Sequence, residues 1–431
     1  MTQVLLVNPP IYDFAAYDLW MKPLGFLVIA RLLLENGFKV EFFDFLDRHY
    51  PGYRTADRPG GCGKFPYEVV LKPDCYQTVP RVYKRFGLPR EVFCSFLAGL
   101  KKPELILVCS GMTYWYPGVK EVVNTCRQFF PGVPIILGGT YATLCPSHAR
   151  TTGADIIFSG KQLNRFIQLM ESLTGQTFRL RPNFWLTPAW ELYPRLSYLC
   201  LKTSFGCPFR CSYCASSLLE PEIYQRQPEE VAREILFLVE KHRVNQVAFY
   251  DDALLFKFDQ HLRRILAKLQ GQKIFFHTPN GLNINDFTPE TGWILKEAGF
   301  VTIRLSLESS QPETVASAHK VSFKKFEQLI TWLSQAGFTR KQIGVYILAG
   351  WPGQQPEEVK QTIIVLKNYP CQVKLAEYSP IPGTSAFNLC QKLHPDLGLT
   401  EPLLHNNSLF PAWNFKGKWD IIREIKELVN S

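Results

Sequence analysis

No stretch of this 431-residue chain is long and apolar enough to span a bilayer; the longest apolar helical run, 24–34, contains Arg31. An export signal is not expected either, since Met1-Thr2-Gln3 runs directly into the strand-like Val4-Leu5-Leu6-Val7. A soluble, cytoplasmic protein with no membrane span is therefore expected. There is no low-complexity tract and no short repeat, which argues against extended disorder. Lysine and arginine are spread evenly, with no basic run. The formal charge of +10 is compatible with an anionic substrate or cofactor, and nucleic acid is not expected as the substrate.

The chain is too long for one ordinary domain, and at 46% hydrophobic residues it can fill more than one core. Twelve cysteines with no export signal expected argue against a disulfide framework. Nine of them (Cys62, Cys75, Cys94, Cys109, Cys126, Cys145, Cys200, Cys371 and Cys390) show no ligand spacing and read as small buried hydrophobes. The other three are grouped.

The first 175 residues alternate short apolar strands (4–7, 39–43, 105–109, 134–137, 156–158) with helical segments (24–35, 119–129). This rhythm predicts a doubly wound α/β domain with a parallel sheet. The 24–35 helix ends at Asn36-Gly37, a C-terminal cap signal. Residues 48–95, rich in Gly, Pro, Tyr, Arg and Lys, interrupt the pattern as a long insertion, the usual form of a lid or substrate loop. Residues 176–197, with Pro182, Pro188 and Pro194, read as a linker. From 198 to 390 a second α/β series follows. Its strands are expected near 199–204, 245–250, 273–278, 301–307, 342–348 and 372–378, with helices near 228–242, 258–270, 288–299, 323–337 and 356–369. Six strands with five helices fall short of a full eightfold barrel, so an open, partial barrel is predicted. Residues 391–431 form an aromatic C-terminal extension ending in a helix near 419–429, placed to plug the barrel's open side.

The segment Gly206-Cys207-Pro208-Phe209-Arg210-Cys211-Ser212-Tyr213-Cys214 follows the first barrel strand. Cysteines spaced by three and then two residues on one loop can hold one face of an iron–sulfur cube. With no fourth cysteine nearby, one iron stays open to another ligand. Zinc is the alternative, although structural zinc favours paired knuckles and four ligands.

This loop resembles the signature of the radical S-adenosylmethionine (SAM) superfamily. The resemblance implies a 4Fe–4S cluster on Cys207, Cys211 and Cys214, whose open iron chelates SAM and whose electron releases a 5′-deoxyadenosyl radical. It extends to other strand ends. Asp251 or Asp252 would receive the SAM ammonium, although many members carry Gly-Gly-Glu there. Asn280 would be a polar contact at the barrel mouth. Glu308 resembles the carboxylate that binds the ribose hydroxyls, with Ser306 alongside. Tyr213 and Gly350 resemble residues that meet the adenine. For the Asp pair the competing reading is a helix cap, and for Asn280 simple turn chemistry.

In the first domain, Val7-Asn8-Pro9-Pro10, Pro23-Leu24-Gly25, Ser110-Gly111-Met112 and Leu137-Gly138-Gly139-Thr140 resemble the cobalamin-binding domain that precedes the barrel in one radical SAM class. That resemblance makes Ser110, Gly138 and Gly139 candidate cobalamin contacts. The class signature Asp-x-His-x-x-Gly is absent, and a domain that has kept the fold without the ligand is the alternative. The function implied is methyl transfer to an unactivated carbon of a small-molecule or peptide substrate, with a flavodoxin or ferredoxin as electron donor. Rival readings are a cobalamin-independent radical rearrangement, cyclisation or oxidation, and a non-catalytic iron–sulfur or zinc protein. An RNA methylthiotransferase is not expected, because the N-terminal cysteines form no second cluster group.

Overall fold

The computed structural model describes residues 2–180, 187–310 and 322–431. Part of the expected linker, 181–186 with Pro182, lies outside the described residues. The chain divides into two compact units. The first comprises 1–58, 62–196 and 400–403, and the second 59–61, 197–399 and 404–431.

The first unit is built on a parallel sheet. Its strands are β1 (Gln3–Asn8), β2 (Lys39–Asp44), β3 (Leu105–Val108), β4 (Ile135–Leu137) and β5 (Ile156–Ile157), in the order β5-β4-β3-β1-β2. The central strands β1, β3 and β4 are near-continuous apolar runs because helices cover both faces, while the edge strand β2 carries Lys39 and Glu41. Helix α1 (Leu24–Glu35) ends where Gly37 takes φ +79°, the left-handed conformation the Asn-Gly pair foretold. Helices α2 (Tyr116–Phe129) and α3 (Leu163–Thr174) complete the cover. Leu6, Leu33, Leu107, Ile136 and Met170 share the core between sheet and helices.

The insertion is not a plain loop. Tyr67–Val69 and Lys84–Phe86 join Ile11–Asp13 in a three-stranded antiparallel sheet. Phe14, Tyr76 and Tyr83 pack ring against ring at 5.1–5.3 Å beneath it. The Arg48 guanidinium bonds buried Asp18 at 2.7 Å, and Gly63 has no side chain because that guanidinium fills the space. Helix Arg90–Ala98 then returns the chain to β3. Strands of three residues are too short for a period to show, which is why the sequence reads here only as an interruption.

The second unit is a wall of six parallel strands: β6 (Leu199–Leu201), β7 (Gln246–Phe249), β8 (Phe275–His277), β9 (Phe300–Glu308), β10 (Ile343–Ala349) and β11 (Gln372–Glu377), in sequence order. The two-residue strand Leu282–Asn283 also pairs with β9. Helices α4 (Pro228–His242), α5 (Leu262–Lys268), α6 (Pro289–Glu297), α7 (Phe323–Gln335) and α8 (Pro356–Leu366) fall between successive strands. Helix α4 has Pro at its first position, Glu229 and Glu230 in the first turn and Lys241 and His242 in the last, all favourable to the helix dipole. Thr288 and Thr291 cap α6 reciprocally. Alternation along the strands sends Ile303, Leu305, Val345 and Ile347 into the helix-covered core. The fold class expected, α/β with a doubly wound domain and a partial barrel, is the one observed. Among the described residues no helix is long and apolar enough to cross a membrane.

Candidate active site

The loop bearing Cys207, Cys211 and Cys214 begins just past β6 and is pinned from several sides. Ser204–Phe205 pairs antiparallel with Tyr224–Gln225. Gly206 has φ +71°, and a Cβ there would meet the Glu222 carbonyl oxygen at 2.2 Å, so the turn requires glycine. Asp251, at the end of β7, is 2% exposed. Its carboxylate accepts the Thr203 and Ser204 N–H groups at 3.0 and 2.6 Å, and their hydroxyls at 2.7 and 2.6 Å. Asp252 pairs instead with Lys202 at 3.2 Å, which also meets Glu220 at 2.9 Å. Glu220 in turn accepts the Gly206 N–H at 3.1 Å. Farther along, the Ser212 carbonyl accepts the N–H of Ala386 at 3.0 Å.

Within the loop, the Cys214 N–H donates to the Cys211 carbonyl at 3.0 Å. Arg210 donates to the Cys207 carbonyl at 2.8 Å, and the Ser216 N–H donates to the Cys214 sulfur at 3.4 Å. Burial pushes the Cys207 thiol up to about 11, against the Phe209 N–H, which favours the thiolate. Three thiols are a soft donor set suited to iron–sulfur chemistry or zinc. Among the described residues no three His, Cys, Asp or Glu side chains gather around one ion-sized point. A cube does not ask for that, since each sulfur meets a different iron.

Tyr213 reaches across the mouth of the wall. Its hydroxyl donates to Glu308 Oε1 at 2.8 Å. Burial, with the Glu308 carboxylate adding to it, holds the phenol far above its ordinary value, so it stays a donor. The Tyr213 ring meets Trp351 edge-on at 5.9 Å, and Trp351 meets Tyr378 at 5.6 Å, which fixes the phenol. Glu308 is 4% exposed and has φ +71°, where the β9–β10 register slips by one residue. A side-chain-bearing residue in that conformation costs about 1–3 kcal/mol, and such outliers cluster at functional sites. The bulge turns Glu308 away from plain strand alternation.

The other expected residues have varied surroundings. The Asn280 amide donates to the Tyr250 and Asp251 carbonyls, both at 3.1 Å, and so ties two strand ends together. The Ser306 hydroxyl lies against Gly281, where a Cβ would come within 2.0 Å of it. Gly350 has φ +84°, and the space its Cβ would fill holds Pro411, so its lack of a side chain serves the chain's own packing.

In the first unit, Ser110, Gly138 and Gly139 stand just past the ends of β3 and β4. The sheet order reverses between β1 and β3, the switch point where open α/β sheets bind ligands. There Asn8 accepts from the Cys109 thiol at 2.9 Å and donates to Asp44 at 2.6 Å. Gly139 has φ +100°, and a Cβ would strike the Ser110 carbonyl oxygen at 2.3 Å. The Ser110 hydroxyl donates to the Gly138 carbonyl at 2.7 Å and accepts the Ala142 N–H at 3.2 Å.

The anchoring role of Asp251 is not visible in a list of motifs; the hydroxyl pair Thr203-Ser204 ahead of the cysteines is its only sequence trace. Asp251→Asn turns an acceptor-only group into one whose amide faces N–H donors. A loss of about 2–4 kcal/mol is expected. Thermal melting together with iron content per chain checks it, and unchanged values for both would remove the anchoring role.

Comparison with known proteins follows this geometry. Residues 201–366 match the Radical SAM superfamily. The chain is 24% identical over 337 residues to the uncharacterized methyltransferase PH0819 of Pyrococcus horikoshii, spanning 69% of this chain and 72% of that one. It is 25% identical over 235 residues to the hopanoid C-2 methylase of Rhodopseudomonas palustris, 49% of this chain and 43% of the relative. Among solved structures, the radical SAM methyltransferase TsrM from Kitasatospora setae, with cobalamin and a [4Fe–4S] cluster bound, superposes with a TM-score of 0.66. The identity is 16%, covering 90% of this chain and 77% of that one. At that identity the likeness is one of fold.

Proposed function

Starting from a chain that carries a radical SAM domain over residues 201–366, we propose that it is a cobalamin-dependent radical SAM methyltransferase acting on an unactivated carbon. When bound, the cluster with SAM supplies a 5′-deoxyadenosyl radical, and cobalamin supplies the methyl group. The observation that carries the reading is the three-cysteine loop opposite a buried, backbone-strained Glu308 already oriented by Tyr213.

The residues divide the work as follows. Cys207, Cys211 and Cys214 hold the cluster. Glu308 accepts the ribose hydroxyls with the lone pairs that Tyr213 leaves, and Tyr213 walls the adenine. Asp251 is committed to Thr203 and Ser204, so Asp252 is assigned to the SAM ammonium. Asn280 and Ser306 line the mouth. In the first unit Ser110, Gly138 and Gly139 border the cobalamin site at the switch point. The substrate is a small molecule or peptide, and a flavodoxin or ferredoxin supplies the electron.

A second reading, a radical SAM enzyme that does not use cobalamin, is favoured by one observation. Ser110 and the space at Gly139 are both taken up by the chain's own backbone, so those residues need no ligand to explain them.

The test uses anaerobic protein reconstituted with iron and sulfide, supplied with hydroxocobalamin and then desalted. Corrin bands retained at about one per chain, together with 5′-deoxyadenosine release under reductant, are the expected outcome. Release without retained corrin selects the second reading. Absence of release would overturn both.

A further inference from the structure

The face of the barrel wall turned away from the helices carries two cations. On β9, β10 and β11, residues 303, 305, 345, 373 and 375 pack toward the helices. Alternation therefore turns Arg304, Ser306, Tyr346 and Lys374 to the opposite, inner face. Register puts Ser306, Tyr346 and Lys374 in one row across three strands, and Arg304 one step below, opposite Gly344. Gly344 has no side chain for a visible reason. A Cβ there would lie 2.8 Å from an Arg304 guanidinium nitrogen and 3.2 Å from its central carbon. The guanidinium thus lies across β10, on the way to β11, where Lys374 stands.

Arg304 reaches the Ile303 carbonyl at 3.3 Å and the Tyr346 hydroxyl, and Tyr346 donates to the Pro279 carbonyl at 3.1 Å. Lys374 is half-buried and has no hydrogen-bond or ion-pair partner among the described residues. Burial first, then Arg304, holds its ammonium below the ordinary lysine value. The same guanidinium adds to the burial that keeps His277 neutral, with a value lowered to about 4. Two like charges on the inner face of one wall are unfavourable when nothing lies between them. An anion held between the strands, by a flexible ammonium on one side and a planar guanidinium on the other, would relieve that repulsion.

We propose that Arg304 and Lys374, with the Tyr346 hydroxyl, form the substrate-anchoring subsite of the barrel, and that it takes a carboxylate or phosphate group of a small-molecule substrate. The proposal deepens the radical SAM reading and rests on it only for calling the anion a substrate; the cation pair stands on geometry alone. The carboxylate of SAM is the other possible source of the anion, so the test separates the two.

Inorganic phosphate and acetate serve as probes, titrated calorimetrically into the anaerobic, cluster-reconstituted protein saturated with SAM. SAM affinity is measured in parallel. One saturable site is expected for each probe. Arg304→Gln and Lys374→Gln should each weaken it by about tenfold or more, the loss of one charged hydrogen bond, with SAM affinity unchanged within about twofold. Lys374→Arg, which keeps the charge, should retain most of the affinity, and Gly344→Ala should lose it as Arg304→Gln does. The proposal is overturned by any of three results. These are no saturable site in the unaltered protein, probe affinity indifferent to both glutamine variants, or SAM affinity falling in step with probe affinity. A protein that assembles no cluster yet still binds phosphate through both cations would remove the radical SAM reading and leave the anion site standing.

Discussion

Replacing Cys207, Cys211 or Cys214 singly with alanine is expected to abolish cluster assembly, and with it all reductive cleavage of SAM. On the proposed assignment, three thiolates on one loop would hold three of the four irons, and losing one would leave a cube attached at two corners in a site already open at a third. The reconstituted protein should lose the broad visible absorption of the cluster, and 5′-deoxyadenosine release should fall to background. The matched control is Cys126→Ala, which removes a fully buried thiol from the other unit. It should leave both readouts intact, since that thiol only fills the core. Because Asp251, Gly206 and Ala386 hold the loop through backbone contacts, each cysteine variant should melt close to the unaltered apoprotein. Cleavage retained in any of the three would sink the cluster assignment.

The second large effect is expected at Glu308, where two consequences can be pulled apart. Glu308→Ala removes a buried carboxylate and leaves the Tyr213 hydroxyl without its acceptor. SAM affinity should fall by about ten- to a hundredfold, the range for losing hydrogen bonds to a charged group. Cluster absorption should not change, because Glu308 is not one of the three proposed cluster ligands. Glu308→Gly removes the same carboxylate but also suits φ +71°. It should therefore melt above Glu308→Ala by roughly 1 kcal/mol of stability while losing SAM affinity equally. Equal stability of the two variants would deny the backbone strain, and unchanged SAM binding in both would deny the ribose role.

The comparison of sequence with structure turns on what each residue needs from its neighbours. Helix 24–35 and helix 228–242 were legible to the residue, because apolar spacing, Pro at the first turn and an Asn-Gly stop are local signals. The strand series was legible because buried parallel strands are predominantly apolar runs. Residues interrupting such runs, Arg304 and Lys374 among them, were visible as polar, but their common face depends on the register of three strands. Glu308 was legible as a carboxylate at a strand end. Its left-handed backbone was not, because the slip against β10 is a tertiary event. Asp251 and Asp252 look alike in sequence. Only the fold shows one tied to Thr203 and Ser204, and the other to a lysine. The short helix Ser385–Leu393 went unread for a related reason, since its first turn is organised by Thr384 and by the carbonyl of distant Ser212.

The segment 400–403 belongs by its packing to the first unit, where the buried Tyr76 hydroxyl donates to the Leu403 carbonyl at 2.7 Å and His148 meets Glu401 at 3.7 Å. In a chain made from its N-terminus, Leu403 is synthesised 327 residues after Tyr76. The first unit can collapse around its sheet early, but until residue 403 emerges Tyr76 has no acceptor at that position and the insertion lacks its last support. Maturation of the first unit is thereby coupled to the synthesis of residues 400–403, so premature termination anywhere before residue 400 leaves a fragment whose first unit is unfinished as well as its second.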